Sequence, residues 1–271
     1  MKQTMQNIRA HKPLVHCITN FVTVNDCANI ILAAGGTPTM AYDAREVEEI
    51  VSVASALVLN LGTVGDIAAM IAAGKRANAL GKPIVLDPVA AGASCLRNES
   101  CAQILKEMKL SVIRGNISEI KSLAVGHADT RGVDAGEKDA VTEQNLDAVC
   151  QMAKDFAKAT GAIIAISGRL DIIADAECAC VITNGCAEMA QITGSGCMLT
   201  ALIGAFAGAQ PDDLYTATVE AVSAMGLCGE LAREKMLRNH AGTVSFRAYL
   251  IDAVSLLTDQ QLAGGQRIEN R

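Results

Sequence analysis

Short apolar runs alternate with longer segments of helical period along the first two thirds of the chain. The runs are LVHCI (14–18), ALVLN (56–60), PIVLD (83–87), LSVIR (110–114) and AIIAIS (162–167). Most are followed by a loop and then by apolar residues at the spacing of one helix face, as in 25–34 and 65–80. Alternation of this kind is typical of βα units. It predicts an α/β fold in which a mostly parallel sheet is covered by helices on both faces.

Two later parts of the chain depart from this alternation. LDIIAD (170–175) and CACVIT (178–183) flank a tight polar turn, which predicts an antiparallel hairpin at the edge of the sheet. Beyond Thr193 the pattern becomes almost wholly helical, with helices predicted over 197–208, 213–238 and 242–257. These helices are expected to pack together on one face.

No repeat, low-complexity stretch or linker-like segment divides the chain. A chain of 271 residues buries about three quarters of its extended surface on folding, so one domain over residues 1–271 is predicted. The extended polar tract 126–145 is predicted to be a long surface connection. Residues 264–271 are predicted to be a frayed end.

Composition excludes several classes of protein. A hydrophobic content of 51% excludes disorder, and no interval approaches the roughly 20 uninterrupted apolar residues of a membrane helix. Acidic residues outnumber basic ones, 29 to 23, and the basic residues are scattered, so no nucleic-acid partner is expected. The first residues lack the apolar core of a secretion signal. A cytoplasmic protein is therefore predicted.

The ten cysteines are predicted to be reduced thiols rather than a disulfide framework. They occur in a long apolar chain, and several lie in runs that resemble core, such as Cys178 and Cys180. No C-x-x-C motif occurs, and the spacing of these two residues and Cys186 suits zinc poorly.

Glycine and polar residues follow the predicted strands. Ligands bind beyond the carboxyl ends of the strands in an open parallel sheet, so these positions predict the rim of a binding site rather than plain turns. They are Thr19 and Asn20, then Asn60, Gly62 and Thr63, then Asp87, then Arg114, Gly115, Asn116 and Glu119, and finally Ser167, Gly168 and Arg169.

The sharpest local signal is TGSGC (193–197), which opens an apolar helix. Gly194 and Gly196 permit close approach of the backbone, and the first amides of a helix point to the space beside them. This arrangement predicts an anion site, and phosphate is the anion that it suits. A glycine turn before a buried helix is the alternative. Neither the Walker A motif nor the Rossmann fingerprint fits the chain.

Two carboxylates and one guanidinium are predicted to serve this anion. Asp87 and Glu119 would lie near the phosphate, which favours a bound Mg²⁺ between them. The alternatives are that Asp87 caps a turn and that Glu119 completes a helix start. Arg114 is predicted to neutralise phosphate oxygens, with a surface ion pair as the alternative. His16, inside an apolar run, is predicted to be a hydrogen-bonded core residue.

The chain resembles the hydroxyethylthiazole kinases, a thiamine-salvage family of the ribokinase-like superfamily. The resemblance covers essentially the whole length and is carried by stretches in the family's order. They are HCITNFVTVNDCAN, AAGGTPTMA, LVLNLGT, VLDPVAAGAS, IRGNISEI, ISGRLDII and TGSGCM. It implies a three-layer ribokinase-like sandwich that uses ATP and Mg²⁺ to phosphorylate the primary hydroxyl of 4-methyl-5-(2-hydroxyethyl)thiazole. It also implies a homotrimer that binds the thiazole between neighbouring subunits.

The resemblance assigns roles to individual residues. It implies that Asn20, Met40 and Gly62 surround the thiazole, with Gly194 at its hydroxyethyl end. A methionine thioether packs well against a sulfur heteroaromatic ring. The positions implied to contact ATP are Arg114, Asn116 and Ser167, and those on the metal side are Asp87 and Glu119.

Cys197, with Gly194 and Gly196, is the implied catalytic group. Most ribokinase-like kinases carry Asp at the position of Cys197, as the base for the acceptor hydroxyl, whereas the thiazole kinases resemble this chain in having Cys. Phosphoryl transfer depends more on positioning and charge neutralisation than on early proton removal, so a modest contribution from the thiol is expected.

Two other functions fit the same fold. An NAD(P)H-hydrate dehydratase, which is a lyase, would carry Asp after the second glycine, where this chain has Cys197. A non-catalytic nucleotide-binding protein would be expected to have lost the acidic pair, yet Asp87 and Glu119 are both present. Kinases of pyrimidines, pyridoxal or sugar alcohols are the nearest alternatives in substrate.

Overall fold

A single twisted sheet organises the computed structural model, which describes residues 3–125 and 141–271. Within those residues the sheet has nine strands in the order β2-β1-β3-β4-β5-β6-β7-β8-β9. The strands are β1 (Leu14–Ile18), β2 (Thr37–Thr39), β3 (Ala56–Asn60), β4 (Ile84–Asp87), β5 (Val112–Asn116), β6 (Ile163–Ser167), β7 (Asp171–Ala174), β8 (Ala179–Ile182) and β9 (Ile268–Asn270). Neighbours from β2 to β6 are parallel, and the pairs beyond β6 are antiparallel.

Helices cover both faces of this sheet. They are α1 (Thr4–His11), α2 (Val24–Ala34), α3 (Val47–Val53), α4 (Ile67–Ala79), α5 (Cys95–Glu107), α6 (Ile117–Val125), α7 (Leu146–Thr160), α8 (Ser195–Ala209), α9 (Leu214–Arg238), α10 (Thr243–Leu256) and α11 (Asp259–Gly265). Residues of α1, α2 and α8 to α11 share one hydrophobic core with one face of the strands. Residues of α3 to α7 share a second core with the other face. The predicted fold class, an α/β three-layer sandwich, is confirmed.

The apolar runs of the sequence coincide with the buried parallel strands. Every residue of β3 and of β4 is buried, as is expected of strands covered on both faces. Alternate side chains enter opposite cores: Val58 packs with α2 and α8, whereas Leu57 and Leu59 pack with α3 and α4. The helices predicted after Thr193 are also confirmed, because α8, α9 and α10 begin and end within two residues of the predicted bounds.

The hairpin prediction is confirmed, but its place at the edge is wrong. β7 and β8 pair antiparallel as expected, yet β9 pairs with β8 on the outside. For the same reason the prediction of a frayed end over 264–271 is wrong. The backbone of Arg271 exchanges hydrogen bonds with that of Ala179, at 2.7 and 3.1 Å. All three residues of β9 are exposed, so no apolar pattern marked this strand.

All ten cysteines are free thiols, as predicted. Of the two cysteines predicted to lie in core-like runs, Cys180 belongs to the core but Cys178 is exposed. Within residues 3–125 and 141–271, no helix is long and apolar enough to cross a membrane. Most of the tract 126–145, predicted as a surface connection, lies outside the described residues; α7 follows its last residue.

Candidate active site

The carboxyl ends of the parallel strands bring the predicted rim together. Asn60 ends β3 and lies in register with Asp87, which ends β4. Asn116 ends β5 and lies in register with Ser167, which ends β6. Asn20 follows β1, and its Nδ2 donates to Asn60 Oδ1 at 2.9 Å. Asn60 Nδ2 then donates to Asp87 Oδ2, also at 2.9 Å. A continuous hydrogen-bond network therefore crosses three strand ends.

Asp87 is the centre of this network. The residue is 1% exposed, and its Oδ2 also accepts a hydrogen bond from Thr200 Oγ1 at 2.8 Å and pairs with Arg114 Nη1 at 3.5 Å. Burial raises the pKa of Asp87, the nearby Arg114 charge opposes that rise, and the Glu119 charge adds to it. Its Oδ1 is buried and has no hydrogen-bond partner. One carboxylate oxygen is thus left for a ligand.

Arg114 lies under the start of α8. It is 9% exposed, which rules out the alternative of a surface ion pair, and its partner is the buried Asp87. The guanidinium also donates from Nη2 to Ser167 Oγ. A Cβ atom on Gly196 would lie 2.5 Å from Arg114 Nη1. The guanidinium therefore packs against the backbone of the second glycine, so both groups are close enough to contact one anion.

The segment before α8 has the geometry of an anion nest. Gly194 is the residue before the helix and has φ +87°, a left-handed conformation that favours glycine. The first internal hydrogen bond of the helix runs from the Met198 amide to Gly194 O at 2.8 Å. The amides of Ser195, Gly196 and Cys197 precede that bond, so they point outward at the positive end of the helix dipole. This geometry agrees with the predicted phosphate site.

Cys197 is tied to the strand ends. Its Sγ accepts hydrogen bonds from Asn20 Nδ2 at 3.4 Å and from Asn60 Nδ2 at 3.3 Å. The sulfur thus faces the polar rim, not the apolar core that encloses the rest of α8. Burial raises the pKa of the neighbouring Cys27 to about 12, which leaves that residue a neutral thiol. Cys197 is the thiol at the centre of the site.

Glu119 and Asn116 form the start of α6. Asn116 Oδ1 accepts from the Glu119 amide at 2.9 Å, and Glu119 Oε2 accepts from the Asn116 amide at 2.8 Å. This reciprocal pattern is a capping box. Glu119 therefore completes the start of α6, which is the role that the alternative interpretation gave it. Glu119 Oε1 additionally accepts from the Ala90 amide at 2.8 Å. The carboxylate therefore holds the loop after β4 beside Asp87.

Carboxylate oxygens such as those of Asp87 and Glu119 are suitable ligands for Mg²⁺, although the protein supplies few of them here. Within residues 3–125 and 141–271, no three His, Cys, Asp or Glu side chains form a metal cluster. Mg²⁺ commonly uses one or two carboxylates and completes its shell with water and phosphate oxygens. The unpartnered Asp87 Oδ1 and the nearby Glu119 carboxylate fit that pattern.

The residues assigned to the thiazole lie at the other end of the rim. A Cβ atom on Gly62 would lie 2.6 Å from Asn20 Nδ2, so the two residues are in contact. Asn20 Oδ1 accepts from the Thr23 amide and hydroxyl, both at 3.1 Å. With both its amide hydrogens and its oxygen engaged, Asn20 shapes this end of the site but has no group left to read a substrate. Met40 is half-buried and follows β2.

His16 fixes the loop that carries Met40. It is buried in β1, and its Nε2 lies 2.7 Å from Ala41 O. Burial lowers the pKa of His16, which favours the neutral ring. The predicted core role is confirmed for this nitrogen, whereas Nδ1 is buried and has no partner.

A cavity of about 760 Å³ opens beside the nest, a volume that suits a nucleotide. Its lining includes Arg114, Ser167, Ser195 and Gly196, and it extends to the 3-10 helix Ala187–Gln191 and to α9. A larger groove, of about 1180 Å³, lies between the ends of α4 and α5 and the length of α7, and it touches none of the rim residues. The smaller cavity is the one joined to the network of Asp87.

Sequence reasoning missed two residues of the network. Asn60 was noted in the rim but not assigned a role, although its amide joins Asn20 to Asp87. Thr200 lies in an apolar helix and is fully buried. A hydroxyl four residues after Gly196 falls on the same helix face, and that spacing is the signal that could have identified it.

Comparison with known proteins identifies the family. The sequence model of the Hydroxyethylthiazole kinase family matches residues 5–260. The chain is also 48% identical over 272 residues to the hydroxyethylthiazole kinase of Clostridium acetobutylicum, covering 100% of this chain and 99% of that protein. The chain belongs to the hydroxyethylthiazole kinase family. The family's match favours the predicted kinase over the two alternatives, a lyase and a non-catalytic nucleotide-binding protein.

Solved structures agree with this membership. The hydroxyethylthiazole kinase protein of Pyrococcus horikoshii OT3 is 32% identical and superposes with a TM-score of 0.86, covering 99% of this chain and 97% of that one. The pyridoxal kinase of Staphylococcus aureus in complex with ADP has a TM-score of 0.59 at 15% identity, covering 81% and 88%. That likeness shows the shared ribokinase-like fold.

Proposed function

We propose that this thiazole kinase family member transfers the γ-phosphoryl group of ATP to the primary hydroxyl of 4-methyl-5-(2-hydroxyethyl)thiazole. The products are the thiazole phosphate and ADP, and the reaction serves thiamine salvage. The observation that carries the proposal is the contact between Gly196 of the nest and the buried Arg114 guanidinium. Both groups line the cavity of about 760 Å³, and Asp87 joins Arg114 to the strand ends on the other side.

The nucleotide's phosphates are assigned to the nest and to Arg114. Outward amides of Ser195 and Gly196 with a guanidinium fork offer donors to the oxygens on which charge develops in the transition state. Ser167 orients the fork, since its Oγ accepts from Arg114 Nη2. Asn116 contributes through the helix start that it forms with Glu119. These groups act by position, which is the main requirement of phosphoryl transfer.

The acceptor is assigned to the pocket of Asn20, Met40 and Gly62, with Gly194 at its hydroxyethyl end. Asn20 supports the wall through its hydrogen bonds, and the Met40 thioether packs on the ring. The hydroxyl would then face Cys197 at the start of α8. In this arrangement Cys197 is a weak acceptor for the hydroxyl proton, and the nest provides most of the stabilisation.

Asp87 and Glu119 would hold Mg²⁺. When bound, the ion neutralises phosphate oxygens and so lowers the charge barrier to attack by the hydroxyl. Asp87→Asn is expected to raise at least tenfold the Mg²⁺ concentration that gives half-maximal activity. Glu119→Gln is expected to slow turnover strongly and to lower Tm somewhat, because its side chain can accept from only one of the Ala90 and Asn116 amides. Direct Mg²⁺ titration of the nucleotide complex by calorimetry gives a readout besides turnover. Unchanged activity and Mg²⁺ affinity in both variants would remove the metal role.

We also propose that the chain works as a cytoplasmic homotrimer of one-domain subunits, with the thiazole pocket completed by a neighbouring copy. Phe21 and Tyr42 support this assembly. They are 66% and 60% exposed, and their rings make an edge-to-face contact at 5.9 Å. Phe21 follows Asn20 directly, and Tyr42 lies two residues after Met40. Exposed apolar side chains that cluster on a surface are typical of sites that bind another protein chain.

One assay tests the proposed reaction. Purified protein with Mg²⁺ and ATP is given hydroxyethylthiazole, hydroxymethylpyrimidine, pyridoxal or ribose, and ADP release is measured. We expect the thiazole alcohol to be the preferred acceptor by at least tenfold in kcat/KM. A preference for pyridoxal or ribose would contradict the proposed substrate, and no ADP release with any acceptor would contradict the activity.

A further inference from the structure

The cavity beside the nest has two chemically different ends. Arg114, Ser167, Ser195 and Gly196 form one end, and Arg114 contacts both Ser167 and Gly196. This end has charge and outward amides, so it suits the phosphates of a nucleotide. The base must then occupy the other end.

The other end is apolar. Leu199 of α8 and Val222 and Met225 of α9 line it, and all three are core residues. Met189 of the 3-10 helix closes the wall, because a Cβ atom on Gly229 would lie 2.5 Å from its sulfur. Aliphatic side chains and thioethers bind the face of any nucleobase by dispersion.

The polar groups of Asn184 and Gly185 at this end already form hydrogen bonds with other parts of the protein. Asn184 Nδ2 donates to Gly265 O at 3.0 Å and to Glu230 at 3.4 Å, and its Oδ1 accepts from the Arg267 amide at 2.7 Å. The Gly185 amide donates to Glu230 Oε1 at 2.8 Å. These groups would have to break internal hydrogen bonds before they could recognise the edge of a base.

Asp171 also lines the cavity, near the Arg114 charge of the phosphate end, and its Oδ1 accepts from the Gly168 amide at 2.8 Å.

Three further polar side chains, at the other end of the cavity and at its mouth, do not alter this picture. Cys186 Sγ donates to Gly229 O at 3.3 Å, and Thr183 Oγ1 accepts from Arg267 Nε at 3.3 Å. Arg169 is exposed to solvent at the mouth of the cavity. A solvated cation there attracts the phosphates of any nucleotide, whichever base it carries.

We propose that this chain uses nucleoside triphosphates as phosphoryl donors with little discrimination between their bases. This inference rests on the proposed function, since it assigns the same cavity to the nucleotide. An apolar pocket distinguishes poorly between ligands of similar shape, whereas a site built to hydrogen-bond one ligand rejects its analogues by about 10⁴ or more. The adenine, guanine and hypoxanthine rings are similar in shape and differ at their polar edges, so GTP and ITP are expected to replace ATP.

The test compares donors with the thiazole alcohol as acceptor. ATP, GTP, ITP and CTP are supplied in turn with saturating Mg²⁺, and thiazole phosphate is measured for each. We expect kcat/KM for the three purine nucleotides to agree within about tenfold, and CTP to differ through KM because its ring is smaller. A preference for ATP over GTP and ITP of more than a hundredfold would overturn the inference while leaving the proposed function intact. Absence of product with every donor would overturn both.

A pair of variants tests the apolar wall itself. Met189→Ala is expected to raise KM by a similar factor, about threefold to tenfold, for all purine donors, because it removes a contact that every base makes. Leu237→Ala, at an exposed position of α9, is the matched control and should change nothing. Calorimetric titration with ADP, GDP and IDP repeats the comparison without turnover. A Met189→Ala effect confined to the adenine nucleotides would show base-specific recognition and contradict the proposal.

Discussion

Asp87 shows how one side chain can organise a site. Its Oδ2 accepts hydrogen bonds from Asn60 and Thr200 and pairs with Arg114. A buried carboxylate is costly unless it is paired and hydrogen-bonded, and here the cost is offset by groups from three other elements. Those groups are fixed in turn, so the Arg114 guanidinium is held in place before any phosphate binds.

The hydrogen bonds around Cys197 support the prediction that its thiol contributes modestly to catalysis. Both amides that donate to its sulfur have a second acceptor, since Asn20 also donates to Asn60 and Asn60 to Asp87. Cys197→Ala should therefore keep the fold and lose less than tenfold in kcat. Steady-state kinetics with circular dichroism checks this, and Cys228→Ala, a buried thiol outside the network, is the control. Complete inactivity of a folded Cys197→Ala protein would refute the minor role of the thiol.

Asp171 predicts a pH dependence of stability. Burial raises the pKa of this carboxyl to about 7, against the lowering effect of the hydrogen bond from the Gly168 amide. The unfolded chain ionises it near pH 4, so the stability that its protonated form contributes is lost as pH rises from about 4 to about 7. Asp171→Asn keeps an acceptor for the Gly168 amide but cannot ionise. It therefore avoids the loss, which is about 1.4 kcal/mol of unfolding free energy for each unit of pKa difference.

Thermal unfolding of Asp171→Asn and wild type between pH 4.5 and 8 measures this effect. The variant should gain in Tm relative to the wild type as pH rises. Asp212→Asn, at an exposed position, serves as the control and should run parallel to wild type. Parallel curves for Asp171→Asn as well would contradict the buried, protonated carboxyl.

At the scale of elements, the start of α8 depends on close contact between backbone and side chains. The left-handed Gly194 packs against Thr23 of the loop before α2, and Gly196 packs against Arg114 of β5. Helix, loop and strand thus meet at atoms that leave no room for a Cβ. Two glycines at this spacing are needed because each faces a different neighbour.

Gly196→Ala tests this packing. The new Cβ would lie 2.5 Å from Arg114 Nη1, so the guanidinium must move away from the nest. We expect kcat/KM to fall at least a hundredfold and Tm to fall as well, because displacing the buried guanidinium disturbs its contacts with Asp87 and Ser167. Gly65→Ala, where nothing lies within 4 Å of the added atom, should be neutral. Wild-type activity in Gly196→Ala would separate the nest from catalysis.

At the scale of the whole molecule, the last strand, β9, pairs with the earlier hairpin of β7 and β8 at one edge of the sheet. β9 covers the outer edge of β8, and Arg267 ties that strand to Glu230 of α9 and to Asn184 at the base end of the cavity. Residues 267–271 therefore support the wall of the cavity that is assigned to the nucleotide in the proposed function. At the opposite edge of the sheet, β2 leads into the loop of Met40.

The proposed trimer is tested at this scale. Phe21→Ser with Tyr42→Ser removes the exposed aromatic pair without touching the core, so it should shift the protein toward monomer and raise KM for the thiazole alcohol. Sedimentation velocity measures the assembly. Val53→Ser, at a residue 70% exposed on α3, is the control. A double variant that remains trimeric, or a wild type that sediments as a monomer, would contradict the proposed interface.

The sequence by itself determined the parallel strands β1 and β3 to β6, but not the short strand β2, and it determined the three long helices after Thr193 and which residues follow the strands at the rim. These follow from local patterns, since a buried strand needs an apolar run and a helix needs a 3.6-residue period. Only the tertiary structure decided that β9 covers the hairpin, because its pairing is made by backbone atoms of exposed residues. It likewise decided that Thr200 and Asn60 meet at Asp87 and that Arg114 is buried, because such contacts join residues far apart in the chain and leave no periodic trace.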